Sequence, residues 1–100
     1  MCGVVAVFSP SLDINPSVLD VMRDQIKHRG PDNGTSWIDD SKRVGLAHRR
    51  LAVIDITEKS NQPMMSQDGR LTLSYNGEIY NYLELKQELV NVGVEFKTES

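Results

Sequence analysis

The chain begins with the apolar run Cys2-Gly3-Val4-Val5-Ala6-Val7-Phe8, directly after Met1. A short, valine-rich run of this kind is typical of a β-strand that is covered on both faces. The turn-forming segment Ser9-Pro10-Ser11 follows it and ends the strand. The sequence therefore predicts a buried first strand with Cys2 at its amino end.

Cys2 has two interpretations. A free cysteine in an apolar strand is usually a small buried core residue. However, its small side chain would let an aminopeptidase remove Met1, which would leave a free α-amino group and a thiol on the same residue. Because an α-amino group is partly unprotonated near neutral pH, Cys2 would then supply both a nucleophile and its base.

Two amphipathic helices are predicted beyond the first strand. The pair Asn15-Pro16 is typical of a helix start, and apolar residues at helical spacing extend this helix over residues 16–28. Asn81, with Glu84 three residues later, resembles a capping box that begins a second helix. Gly93 is predicted to end it.

Further strands alternate with these helices. Apolar, β-branched or aromatic runs predict them at residues 36–38, 43–47, 51–56, 71–75 and 94–98. The polar stretch 57–69 is predicted to be a loop. The order of strand, helix, several strands, helix and strand indicates a layered α+β domain. Because the last predicted strand reaches the end of the sequence, we expect the domain to continue beyond residue 100.

Composition and charge narrow the range of functions. Hydrophobic residues make up 39% and charged residues 25%, which is typical of a globular chain. The net charge of −3 argues against nucleic acid or an anionic membrane as the main partner. No apolar run is long enough to span a bilayer, no signal peptide precedes Cys2, and the single cysteine fits a reducing compartment. We therefore expect a cytoplasmic protein.

Two charged segments contain candidate functional residues. The segment His28-Arg29-Gly30-Pro31-Asp32 has the pattern of a helix C-terminus followed by stop signals, which leaves Asp32 unexplained. Arg49 and Arg50 are either a solvated strand end or a guanidinium fork that binds a carboxylate. Period-two alternation places the two arginines on opposite faces of a strand but does not indicate which one faces a ligand.

The dipeptide Asn76-Gly77 is typical of a type I′ hairpin turn, yet the residues after it predict a helix. A strand that ends in Asn-Gly and enters a helix can present an amide side chain and a backbone N–H together, as a tetrahedral oxyanion requires. Glu78 can hold a cationic amine. A metal site from Cys2, His28 and His48 is disfavoured, because no pair of them has a zinc-ligand spacing.

Five segments appear in the order and spacing of one known family: Cys2-Gly3, residues 28–32, residues 46–51, Gln62-Pro63 and residues 76–81. Over the whole chain they resemble the glutaminase domain of the glutamine-hydrolysing asparagine synthetases, a class II (N-terminal nucleophile) amidotransferase domain. The resemblance implies an α+β fold of the N-terminal nucleophile hydrolase type. This fold is a layered α/β/β/α sandwich, and residues 1–100 would be only its N-terminal part.

The resemblance also implies roles for individual residues. Cys2 is expected to be the nucleophile, and Asn76 and Gly77 to form the oxyanion hole. Arg50 is expected to bind the α-carboxylate of L-glutamine, and Glu78 to hold its amino group. Hydrolysis through a Cys2 thioester would release ammonia for the ATP-dependent amidation of aspartate to asparagine.

The same resemblance implies partners outside this sequence. A C-terminal synthetase domain would bind ATP and magnesium, whereas no cofactor or metal is expected in residues 1–100, and the resemblance admits a homodimer of the full-length protein. Two alternatives stay open. One is an amidotransferase for another carboxylate, such as a polysaccharide sugar acid, and the other is a non-catalytic glutamine-binding module. The 100-residue chain alone is expected to be inactive.

Overall fold

The computed structural model describes residues 1–99. The elements follow one another as β1 Gly3–Phe8, α1 Pro16–Gln25, β2 Asn33–Ile38, β3 Val44–Arg50, a 3-10 turn Glu58–Ser60, β4 Met64–Met65, β5 Thr72–Leu73 and α2 Tyr82–Asn91. Helices and small antiparallel sheets occur together, so the architecture is α+β, as the sequence predicts.

A three-stranded antiparallel sheet with the order β1-β3-β2 forms the centre of this structure. Gly3 of β1 and Gly34 of β2 both lie opposite Arg49 of β3. The polar turn between β2 and β3 is closed by the carboxylate of Asp39, which accepts hydrogen bonds from the N–H groups of Arg43 and Val44. The hairpin predicted around residues 39–42 is therefore confirmed.

Helix α1 covers one face of this sheet. The Asn15 side chain accepts a hydrogen bond from the Ser17 N–H, and Pro16 is the first helical residue, so the predicted helix start is confirmed. The helix ends at Gln25, three residues before the predicted end, because hydrogen-bonded turns replace the helical pattern over residues 26–29. Leu19 is only 1% exposed and lies between α1 and the sheet.

Four strand predictions need correction. Within residues 1–99 only one face of strand β1 is covered, by α1, and Phe8 on the other face is 72% exposed. Residues 51–56 form no strand, because Asp55 accepts hydrogen bonds from the backbone N–H and the hydroxyl of Thr57 and bends the chain. Residues 94–98 also form no strand. The predicted strand 71–75 is reduced to the two residues of β5, which pair with β4.

Helix α2 is confirmed, and it begins at Tyr82 with Asn81 in the N-cap position, as predicted. Asn81 makes no side-chain capping hydrogen bond, so the predicted capping box is not formed. Gly93 has a φ of 94° and the Val94 N–H donates to the Leu89 carbonyl oxygen, so the helix ends at a left-handed glycine as predicted. Neither α1 nor α2, with ten residues each, has the length and apolar character needed to cross a bilayer.

Candidate active site

Cys2 lies at the amino end of β1, on the face of the sheet that α1 does not cover. Gly3 faces α1, because a Cβ added there would lie 2.6 Å from Ile26 Cδ1, and strand alternation turns Cys2 the other way. The Leu51 N–H donates to Cys2 Sγ at 3.3 Å, and the thiol donates to the Leu51 carbonyl oxygen at 3.7 Å. The side chain is partly exposed, so Cys2 is not a fully buried core residue.

Arg50 shares this face of the sheet with Cys2. Its Nη1 donates to the Thr57 carbonyl oxygen and, at 3.0 Å, to Asn61 Oδ1. Within residues 1–99 both hydrogen bonds of the guanidinium come from Nη1, which leaves Nε and Nη2 on its other edge for a ligand. The residue is only 7% exposed, so its charge is held in a fixed position.

Arg49 points to the opposite face, as alternation predicts, and has a structural role. Its Nε donates to the Gly30 carbonyl oxygen at 2.8 Å, and its Nη1 lies 3.5 Å from the carboxylate of Asp24. These contacts fasten α1 and the segment after it to the central strand. The structure therefore distinguishes two arginines that the sequence pattern left equivalent.

The segment 28–32 supports the Cys2 end of the sheet. Arg29 Nε donates to the Cys2 carbonyl oxygen at 3.1 Å. The carboxylate of Asp32, which the sequence left unexplained, accepts a hydrogen bond from the Ala52 N–H at 2.8 Å. Both contacts hold backbone that lies next to the thiol.

The glycine at position 30 is explained by something other than the predicted helix stop. Helix α1 already ends at Gln25, so Gly30 is not the residue that terminates it. Instead, a Cβ at Gly30 would overlap the backbone of Arg49 and Arg50. Glycine is therefore required here by the close approach of two backbones.

Residues 76–78 follow β5 on the same side of the sheet as Cys2. The preceding residue, Tyr75, brings them there, because its carbonyl oxygen lies 3.2 Å from His48 Nε2 on the central strand. His48 and Arg50 share one face by strand alternation. All of residues 76–78 are exposed, and within residues 1–99 no hydrogen bond joins them to Cys2 or Arg50.

The hairpin interpretation of Asn76-Gly77 is wrong, because β5 pairs with the preceding β4 and residues 82–91 form α2. A Cβ on Gly77 would lie 2.5 Å from the hydroxyl oxygen of Tyr75, so the Tyr75 ring occupies the space beside this glycine. The Asn-Gly pair therefore stands between a strand and a helix, as an oxyanion site would require.

Three polar residues near this site were not predicted from the sequence to support it. His48 is 1% exposed, and burial lowers the pKa of its imidazole. Gln62 accepts a hydrogen bond from the Tyr75 N–H at 2.6 Å. Asp55 accepts hydrogen bonds from Thr57, whose hydroxyl is the main cause of a pKa far below the ordinary value, and from the Glu99 N–H. His48 and Gln62 lie within the motifs quoted above, but their contacts with Tyr75 span 27 and 13 residues, so no sequence pattern signals this role.

The whole chain, residues 1–100, matches the family described as the glutamine amidotransferase domain. The chain therefore belongs to this family, and the predicted resemblance is confirmed at that level. Within residues 1–99, no three His, Cys, Asp or Glu side chains lie together as metal ligands would.

Individual relatives show which members of the family this chain is similar to. The glutamine-hydrolysing asparagine synthetase 1 of Bacillus subtilis is 38% identical over 104 residues, which cover 100% of this chain and 16% of the relative. A probable glutamine-hydrolysing asparagine synthetase of Schizosaccharomyces pombe is 41% identical over 103 residues, covering 100% and 18%. Amidase chry2 of Gibberella zeae is 40% identical over 108 residues, covering 97% and 16%. The chain spans less than a quarter of the length of these curated relatives.

Proposed function

We propose that this domain hydrolyses L-glutamine through a thioester on Cys2 and supplies the ammonia for ATP-dependent amidation of aspartate to asparagine. One observation carries the proposal: Cys2 and Arg50 occupy one face of the sheet at the same end, with a partly exposed thiol and a buried, oriented guanidinium. A nucleophile beside a carboxylate-binding fork is what an amino-acid amide substrate requires.

Removal of Met1 is the first step of the proposed mechanism. Met1 is 71% exposed, which supports access by an aminopeptidase. The free amine of Cys2 then takes the thiol proton, and the thiolate attacks the side-chain amide carbon of glutamine. The Leu51 N–H remains as a hydrogen-bond donor to the sulfur. Nucleophile and base are thus supplied by one residue.

Attack converts the amide carbonyl into a tetrahedral oxyanion. The Asn76 side-chain amide and the Gly77 N–H would donate to it, and within residues 1–99 neither residue is held by another hydrogen bond. The carbon–nitrogen bond breaks as the Cys2 ammonium protonates the leaving ammonia. Water then hydrolyses the thioester to glutamate and restores the thiol.

Arg50 and Glu78 bind the two charged groups of the amino acid. The free Nε and Nη2 edge of Arg50 suits paired hydrogen bonds to the α-carboxylate, because a guanidinium matches the geometry of a carboxylate. The exposed carboxylate of Glu78 suits the α-ammonium group. The α-amino acid would thus be recognised at both ends while its side-chain amide faces Cys2.

The remaining parts of the proposal concern the full-length protein. ATP and magnesium would bind to a synthetase domain outside these residues. The protein would be located in the cytoplasm. The complete domain would fold as a layered α/β/β/α sandwich, with residues 1–100 as its N-terminal part. The exposed apolar face of β1, with Val4 and Phe8, supports a further layer over this sheet. A homodimer is part of the proposal, and light scattering of the full-length protein tests it.

A second ammonia acceptor is kept as an alternative. Amidase chry2, whose name is not that of an asparagine synthetase, is about as similar to this chain as the asparagine synthetases are, so similarity over these residues does not decide the acceptor. Product analysis with aspartate and with other carboxylates, such as a sugar acid, separates the two candidates. A non-catalytic glutamine-binding module would bind glutamine without releasing glutamate, which distinguishes it from both enzymes.

Intact mass and a nucleophile variant of the full-length protein test the proposed function. The mature protein should lack Met1, and a diazoketone analogue of glutamine should label Cys2. Cys2→Ala should abolish glutamate release from glutamine, whereas added ammonia should still support amide synthesis. Ser11→Ala is a suitable control, because Ser11 is exposed and follows the end of β1 that is opposite to Cys2. Normal glutaminase activity in Cys2→Ala, or in protein that retains Met1, would contradict the mechanism.

A further inference from the structure

Tyr75, the residue directly before the proposed oxyanion donors, is held by side chains at both of its backbone polar groups. Its N–H donates to Gln62 Oε1 at 2.6 Å, and its carbonyl oxygen lies 3.2 Å from His48 Nε2. Gln62 belongs to the Gln62-Pro63 motif, to which the proposed mechanism assigns no role. These two contacts fix the position from which Asn76 follows.

The chemistry of His48 determines the direction of its hydrogen bond. A carbonyl oxygen only accepts, so Nε2 must carry the proton and donate to Tyr75. Burial lowers the pKa of this imidazole, which favours its neutral form. His48 therefore acts as a hydrogen-bond donor to Tyr75 through Nε2–H.

Packing alone does not account for a buried histidine at position 48. The residue is 1% exposed, and its Nδ1 has no hydrogen-bond partner within residues 1–99. Buried polar atoms without a partner are uncommon in native proteins and need an explanation, because an apolar side chain would fill the space at a lower cost. The donation from Nε2 to Tyr75 supplies that explanation.

The contact with His48 connects the oxyanion segment to the central strand of the three-stranded sheet, whereas Gln62 lies in the bend before β4. His48 lies on the central strand β3, paired with Val4 on one side and with Thr35 on the other. By contrast, β5 has only two residues, paired with β4, and residues 76–78 are exposed. The position of residues 76–78 relative to Cys2 thus depends on how Tyr75 is fastened to the sheet.

We propose that His48 and Gln62 are positioning residues of the glutaminase reaction. They hold the Tyr75 backbone so that the Asn76 amide and the Gly77 N–H meet the oxyanion that forms at the substrate carbon attacked by Cys2. This inference rests on the proposed function. Neither residue touches the reacting atoms, so both act through the geometry of the donors.

Matched variants of the full-length protein test this inference. His48→Leu removes the donor, whereas His48→Gln keeps an amide N–H at a similar reach. Gln62→Leu removes the acceptor, whereas Gln62→Glu keeps a carboxylate oxygen in its place. Each leucine variant should lower kcat for glutamine hydrolysis by about 10–100-fold, the range expected when donors are displaced by about 1 Å. KM should change less than about twofold, because Arg50 and Glu78 are untouched.

The comparison separates positioning from a general effect on folding. Labelling with the diazoketone analogue of glutamine measures the fraction of protein with a reactive Cys2. The value of kcat is then calculated per labelled site. His48→Gln and Gln62→Glu should recover most of kcat, and the double leucine variant should lose less than the product of the single losses, because both contacts hold one residue. Gln62 is only half-buried, so its variant keeps the test valid if His48→Leu does not fold.

Three outcomes would overturn the inference: an unchanged kcat per labelled site in both leucine variants, a rise in KM in place of the fall in kcat, or no recovery in the conservative variants. A failure of the proposed function is recognised separately. In that case wild-type protein releases no glutamate, or Cys2→Ala releases it normally.

Discussion

Arg49 and Arg50 are neighbours in sequence with equal exposure of 7%, and they point to opposite faces of β3. Arg50→Ala should raise KM for glutamine by about 10–100-fold, since a hydrogen bond between charged groups is worth roughly 1.5–3 kcal/mol. The value of kcat should change little, because the α-carboxylate is bound equally in the ground and transition states. Glutamate release at a series of glutamine concentrations measures both parameters.

Arg49→Ala is the matched control for this prediction. It removes the hydrogen bond to the Gly30 carbonyl oxygen and the ion pair with Asp24, so it should lower the melting temperature and leave KM unchanged. If Arg49→Ala raises KM while Arg50→Ala leaves it unchanged, the assignment of the substrate-binding arginine is wrong.

Asn76→Ala separates transition-state stabilisation from folding. The side chain is exposed and makes no hydrogen bond within residues 1–99, so the melting temperature should be unaffected. The value of kcat should fall by about 10²–10³-fold, as expected for a lost oxyanion donor. Steady-state kinetics and thermal melting of the same preparation measure the two effects. A lowered melting temperature with normal kcat would identify Asn76 as a structural residue.

At the scale of elements, the contact between residues 28–32 and β3 supports the site. Gly30→Ala would place a Cβ against the backbone of Arg49 and Arg50, where no flexible side chain can move aside. We expect a loss of about 1–3 kcal/mol in the free energy of unfolding, the range for overpacking, together with a higher KM because Arg50 is displaced. Urea unfolding and glutaminase kinetics check the two effects.

Gly69→Asn is the control for that experiment. Gly69 has a φ of 73°, and a Cβ there would meet nothing within 4 Å, while asparagine tolerates the left-handed conformation. Its free energy of unfolding should be nearly unchanged. Equal losses in Gly30→Ala and Gly69→Asn would contradict the close-approach explanation.

The bend at residues 51–57 gives the protein an acid-sensitive element. Hydrogen bonds from Thr57 and Glu99 hold the pKa of Asp55 far below the unfolded value of about 3.9. A carboxylate with a lowered folded pKa contributes stability above its unfolded pKa and loses it as pH falls towards its folded pKa. The wild-type advantage over Asp55→Asn should therefore be full above about pH 5 and shrink below about pH 4.

Urea unfolding of both proteins between about pH 3 and pH 7 measures this difference, in the window set by the unfolded aspartate pKa. Asp40→Asn is the control, because Asp40 is exposed and makes no hydrogen bond within residues 1–99. A wild-type advantage over Asp55→Asn that stays constant across the range would show that the charge of Asp55 is not what stabilises the bend.

At the scale of the whole molecule, little apolar surface is buried within residues 1–99. Leu19 and Ala47 are the buried hydrophobic residues of the described chain, while Phe8, Ile56 and Tyr80 are 72%, 80% and 94% exposed. A folded domain retains a net stability of only about 5–15 kcal/mol, so a core of this size is insufficient. Residues 1–100 expressed alone should show no cooperative thermal melt and negligible glutaminase activity.

Near-UV circular dichroism, a hydrophobic dye and glutamate release test that prediction. The full-length protein is the control and should melt cooperatively with little dye bound. A sharp melt of residues 1–100 together with glutamine turnover would show that the small core is sufficient. The free edges of β1 and β2 would also make aggregation of the isolated segment visible by light scattering.

Features that depend on neighbouring residues were determined by the sequence itself. The start of α1 at Asn15-Pro16, the polar turn 39–42 and the end of α2 at Gly93 all agree with prediction. Caps and turns are closed by hydrogen bonds within a few residues, so their residue types are sufficient evidence. The five motifs also identified the family from the sequence, because the order and spacing of motifs are properties of the sequence alone.

Only the tertiary structure decided the features that need distant partners. A strand requires another strand to pair with, and residues 51–56 and 94–98 lack one within the described chain. Which of Arg49 and Arg50 points towards α1 depends on the face that this helix covers, and the contact of Asp32 is with a residue 20 positions away. Cys2 meets Leu51 across 49 residues. Such contacts form only when elements pack, and no local pattern records them.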